Sequence, residues 1–101
     1  MPLSNKQAKD AGFDRTLYEL FPAPVGTWTA RLDWSVWALQ GGGLHIYVTD
    51  EDTQAPRWLF VPVYDPLREV LRHVPRGARL ELTIGRTRNN KPKLLACRVL
   101  S

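Results

Sequence analysis

From Gly26 onward the hydrophobic positions recur at every second residue. Trp28, Ala30, Leu32, Trp34, Val36 and Ala38 fall on one face of an extended chain, and Thr27, Thr29, Arg31, Asp33, Ser35 and Trp37 fall on the other. That alternation predicts a long half-buried strand. Gly41-Gly42-Gly43 then permits the backbone dihedrals of a tight reversal. A second strand follows, with Leu44, Ile46 and Val48 inward and His45, Tyr47 and Thr49 outward. Residues 50–56 are polar and read as a loop. A third strand over residues 57–63 is apolar on both faces, which leaves its register open.

The period changes again at Asp65-Pro66. Asp65 suits a helix cap and Pro66 the first helical position, where its missing N–H costs nothing. Leu67, Val70, Leu71 and Val74 form the apolar stripe, and Pro75 and Gly77 end the helix. The fourth strand sets Leu80, Leu82 and Ile84 against Arg79, Glu81 and Thr83. The fifth covers residues 93–100. Before the strands, Ser4 and Gln7 have the spacing of a capping box, and Phe13, Leu17, Leu20 and Phe21 follow at helical spacing with Asp14 as a second cap. Pro22-Ala23-Pro24 stops any helix. Residues 1–25 thus read as a helical arm, either docked or partly mobile, ahead of a β domain over residues 26–101.

The charge is unevenly spread. Residues 76–101 hold seven of the 14 basic side chains and one acid, Glu81, a net +6, whereas residues 1–75 hold seven basic and nine acidic side chains, a net −2. The positive charge concentrates on the last two strands and the turn at residues 88–92. A basic hairpin on a mildly acidic body points to a polyanionic partner. The longest apolar run, Trp58-Leu59-Phe60-Val61-Pro62-Val63, is far short of the roughly 20 residues of a membrane span. The N-terminus has no apolar core of a secretory signal. A single cysteine, Cys97, fits a reducing compartment. The expectation is a cytoplasmic protein of one domain.

The order of three strands, helix and two strands, with a long first strand and a glycine-rich first turn, resembles the OB-fold. The likeness is one of architecture and covers residues 26–101. It implies a mainly β protein, a five-stranded Greek-key barrel with one helix between strands three and four. It is similar to small single-strand-binding and primosomal accessory proteins, which are often oligomers. The resemblance also implies a binding face over strands two and three, bordered by the first turn and the hairpin of residues 86–93.

The candidate binding residues follow. Arg86, Arg88, Lys91 and Lys93, with Asn89 and Asn90 at the tip, would track the phosphates of single-stranded DNA or RNA. Trp37, Tyr47, Trp58 and Phe60 lie opposite the main apolar stripe and would stack on bases. Two other uses of these rings stand beside that one: Trp58 and Phe60 inward in the core, or the whole face as a homodimer or higher-oligomer interface. His45 and His73 are 28 positions apart and Cys97 stands alone, so no zinc spacing occurs, and the loop acids Asp50, Glu51 and Asp52 read as solvated. No phosphate-binding loop, dinucleotide fingerprint or nucleophile–base pair is present. The reading is a non-catalytic, cofactor-free single-stranded nucleic-acid-binding module, with a protein-interaction module as the alternative.

Overall fold

The computed structural model describes residues 2–38 and 42–100. Helices α1 (Asn5–Asp10) and α2 (Thr16–Glu19) precede the strands β1 (Gly26–Trp37), β2 (Leu44–Asp50) and β3 (Pro56–Val61). Helix α3 (Leu67–Leu71) and the strands β4 (Arg79–Arg86) and β5 (Pro92–Val99) complete the chain. The five strands form one antiparallel sheet in the order β3-β2-β1-β4-β5. The sheet is not closed by a ladder, although its two edge strands, β3 and β5, curl round to within 8 Å Cα to Cα.

The inner face of the curled sheet holds the main core: Ala30, Leu32, Ile46, Val48, Leu80 and Leu82 are buried there, and Leu71 and Val74 from the helical segment cap it. Asp65 Oδ1 accepts from the Leu67 N–H at 3.0 Å, but the helix starts one residue later than expected, with Pro66 at the cap position and Leu67 first. Val70, expected on the apolar stripe, is exposed.

β1 does not keep its alternation. Leu32 lies opposite Val48 and Trp34 opposite Tyr47, so Asp33 is an extra residue, a β-bulge, against β2. One inserted residue reverses the faces beyond it. Trp34 and Val36 therefore leave the main core for a second cluster on the outer face, and Trp37 joins the main core instead. Trp37 lies under the guanidinium groups of Arg68 and Arg72, each 5.4 Å from its ring.

The second cluster exists because the N-terminal arm is docked. Ser4 Oγ accepts from the Gln7 N–H at 3.1 Å and Gln7 Oε1 from the Ser4 N–H at 3.0 Å, so the capping box forms as read. Backbone bonds fasten the arm at two places. At β1, Leu3 N–H donates to Ser35 and Trp37 N–H donates to Leu3, at 2.9 and 2.6 Å. At β3, Ala23 N–H donates to Trp58 and Trp58 N–H donates to Phe21, at 2.9 and 3.0 Å. The arm thus straddles the outer face, and Phe13 sits at its centre with ring centroids 4.9 Å from Trp34 and 5.1 Å from Tyr47. Tyr47, expected outward, is fully buried beneath it.

Candidate functional site

A groove of about 1000 Å³ opens where the edge of β3 faces the β4–β5 hairpin. Its floor is aromatic and includes His45, Trp58 and Phe60. Pro22, Ala23 and Pro24 of the arm form one wall; Arg86, Asn90, Lys91 and Lys93 form the other. Tyr64, in the turn after β3, stands at the mouth and is 84% exposed.

The floor is built by cross-strand pairing. His45 lies opposite Phe60 and Tyr47 opposite Trp58 in the β2–β3 ladder, so the four rings share one face. The Trp58 indole N–H donates to His45 Nδ1 at 3.1 Å, and those two rings lie within 22° of parallel. Phe60 lies over Gly43, where an added Cβ would stand 2.4 Å from its ring. That close approach is the requirement that glycine meets in the first turn. Gly41, in the same predicted turn, is outside the described residues.

The basic wall is held by its own turn. Thr87 N–H donates to Lys91 and Asn90 N–H to Thr87, each at 2.9 Å. Asn90 takes a left-handed backbone with φ of 61°, which asparagine tolerates better than most residues. Its Oδ1 accepts from Arg86 at 3.2 Å, so Asn90 holds Arg86 in place.

The ion pairs divide the basic residues into two sets. Arg79 pairs with Glu51 at 3.0 Å and Arg98 with Glu81 at 3.2 Å. Arg76 lies 3.7 Å above the Trp34 ring and donates to the Asp33 carbonyl. Among the described residues no acid lies within 4.0 Å of Arg86, Arg88, Lys91 or Lys93. Of the basic residues in 76–101, Arg79 and Arg98 are paired with acids, Arg76 is held by a ring and a carbonyl, and the four of the hairpin have no acid partner among the described residues.

The structure brings Trp58, Phe60, Arg86, Asn90, Lys91 and Lys93 together. Arg88 and Asn89 stand exposed in the hairpin tip. Trp37 and Tyr47 are not in the groove, the first because of the Asp33 bulge and the second because of the arm. Sequence reasoning did not place the proline wall or Tyr64, since the docking of the arm leaves no local periodicity to read. Asp50, first of the loop acids, caps its own turn by accepting from Asp52 N–H at 2.9 Å. Burial pushes the Cys97 thiol up to about 11, so it stays protonated. Among the described residues no three His, Cys, Asp or Glu side chains converge on a metal position, and no helix is long and apolar enough to cross a membrane. The fold and groove define a β-sheet protein with a cationic, aromatic-floored cleft. No protein-family model, curated protein or solved structure matches the chain.

Proposed function

We propose that this protein is a non-catalytic module that binds single-stranded nucleic acid with little sequence preference, single-stranded DNA being the first ligand to test. The observation that carries the reading is the set of cations without an acid partner among the described residues, Arg86, Lys91 and Lys93 beside a floor of Trp58 and Phe60 and Arg88 at the hairpin tip. A single strand needs charge along its backbone and ring faces for its bases, and this groove offers both. The strand order and the helix between β3 and β4 support an OB-type Greek-key barrel left open at the β3–β5 seam. Ligands of that fold lie over strands two and three beside the hairpin of strands four and five, which is where the groove is. A cytoplasmic accessory role in replication or recombination suits such a module.

A salt titration of binding to a dT oligomer tests the proposal. Contact with four phosphates gives a slope of log affinity on log salt of about −3. Changing Arg86, Arg88, Lys91 and Lys93 together to Ala flattens it. Binding that ignores both salt and these changes overturns the reading.

A second reading has its own observation. Leu17, Leu20 and Phe21 of the arm are exposed apolar side chains, which suit contact with another protein chain or a second copy. A light-scattering mass that rises with concentration, and falls when Leu17 and Leu20 become Ser, supports an oligomerisation or protein-interaction module.

A further inference from the structure

The groove floor contains an internal hydrogen bond that base stacking by itself does not require. An indole N–H is a donor only, so the Trp58 bond to His45 needs an acceptor at Nδ1. Imidazole offers one only when neutral, with its proton on Nε2. His45 also sits between other rings, with Phe60 at 5.1 Å and Tyr47 at 6.3 Å between centroids. Of the floor rings His45, Trp58 and Phe60, it is the one that changes charge near physiological pH.

We propose that His45 is the positioning residue of the groove: its unprotonated Nδ1 holds the Trp58 indole in the plane on which a ligand base stacks, and acidification releases it. The inference deepens the nucleic-acid reading and rests on it for the ligand alone. Protonated His45 turns a second donor toward the indole N–H, leaving both without an acceptor in a half-buried site. The groups around the ring favour the neutral form. Burial first, and Arg15 on α2 second, hold His45 below its ordinary value of 6.5, with Glu19 on the same helix opposing them. The Tyr47 hydroxyl on β2 is tied to Glu19 at 2.8 Å. Arg86, Lys91 and Lys93 of the hairpin and Asp65, ahead of α3, also line the groove. The bond is therefore intact at neutral pH, and its release falls below pH 6.5.

The test uses the whole chain as wild type, His45→Asn, His45→Phe and Trp58→Phe. An Asn side chain puts an acceptor near the Nδ1 position and does not titrate. The free protein is followed by tryptophan emission and near-ultraviolet circular dichroism from about pH 8 to about pH 5. Wild type is expected to change below pH 6.5 with its far-ultraviolet spectrum constant, whereas Trp58→Phe and His45→Asn do not change. A flat wild-type signal, or one that persists in Trp58→Phe, overturns the positioning role whatever the ligand.

The second arm measures dT-oligomer affinity at high salt, where the added imidazolium charge counts least. Wild-type affinity is expected to fall about tenfold between about pH 7 and about pH 5, the lower part of what one stacked base is worth. His45→Phe is expected to be weak throughout, and His45→Asn to restore most of the binding without the pH dependence. Wild-type binding that stays level while the Trp58 signal changes overturns the link to stacking. A pH-dependent Trp58 signal with no oligonucleotide binding at any pH supports the positioning role and sinks the nucleic-acid reading instead. If His45→Phe fails to fold, His45→Asn and Trp58→Phe still decide the outcome.

Discussion

The Tyr18 hydroxyl donates to Asp33 Oδ2 at 2.9 Å, joining the second helix of the arm to the bulge of β1. Thr49 donates to the same oxygen and Arg31 binds the other at 3.1 Å. The residue whose insertion turns Trp34 outward thus also fastens the element that covers Trp34.

Removing either partner should loosen the arm by different amounts. Tyr18→Phe deletes one hydrogen bond and is expected to lower stability by about 1 kcal/mol. Asp33→Ala leaves Tyr18, Thr49 and Arg31 without their acceptor and is expected to cost about 2–3 kcal/mol. Urea unfolding checks both, as midpoints that fall at an unchanged slope. Equal midpoints for the two variants would mean that Asp33 serves Tyr18 alone.

Alkaline pH should release the same arm. Burial first and Asp33 second push the Tyr18 phenol up from 10.0 to about 12. Burial and Glu19 move Tyr47 in the same direction. The unfolded chain ionises these phenols near 10.0, so above that pH it binds fewer protons than the fold does. Their contribution is complete below the unfolded value and is lost as pH rises toward the folded one. The urea midpoint is expected to be level at neutral pH and to fall above about pH 10, less steeply in Tyr18→Phe and in Tyr47→Phe. An identical fall in both variants would assign the effect to other groups.

Much of this architecture could be read from local signals. The capping box of Ser4 and Gln7, the helix opened by Asp65 and the hairpin that carries Lys91 each leave a residue pattern within a few positions. The bulge leaves none. Trp34, Val36 and Trp37 are all apolar, so either face accepts them, and the switch at Asp33 is set by pairing with β2 and by contacts with Tyr18 and Thr49. The burial of Tyr47 depends on Phe13, 34 positions earlier in the chain, which no period of two or 3.6 encodes. For the same reason the charge split showed the basic hairpin but not which cations have acids beside them.

That difference separates two sets of cations experimentally. Arg79 and Arg98 are engaged by Glu51 and Glu81. Changing both to Ala is expected to leave the salt slope of oligonucleotide binding unchanged and to alter stability by no more than about 1 kcal/mol. Changing Arg88 and Lys91 to Ala removes two cations with no acid partner among the described residues, and should reduce the slope by about 1.4. Equal losses from the two pairs would mean that net charge, not the groove, attracts the ligand.

Gly43 links packing to the groove floor. An Ala there would set its Cβ 2.4 Å from Phe60 Cζ and 2.7 Å from Cε1, with the Val61 carbonyl at 3.3 Å. The Phe60 ring must move, and because it is 37% exposed it has room to swing toward solvent. Stability is therefore expected to fall by only about 1 kcal/mol, the low end for overpacking. Binding should suffer more directly, because the ring that moves is part of the stacking floor. Gly43→Ala is expected to weaken dT-oligomer affinity several-fold, up to the roughly tenfold or more that one stacked base is worth. Phe60→Ala should do the same, and the double change should be no worse than Phe60→Ala alone, since the glycine acts through that ring. Additive losses in this cycle would show that Gly43 contributes to binding by another route, through the backbone of the first turn.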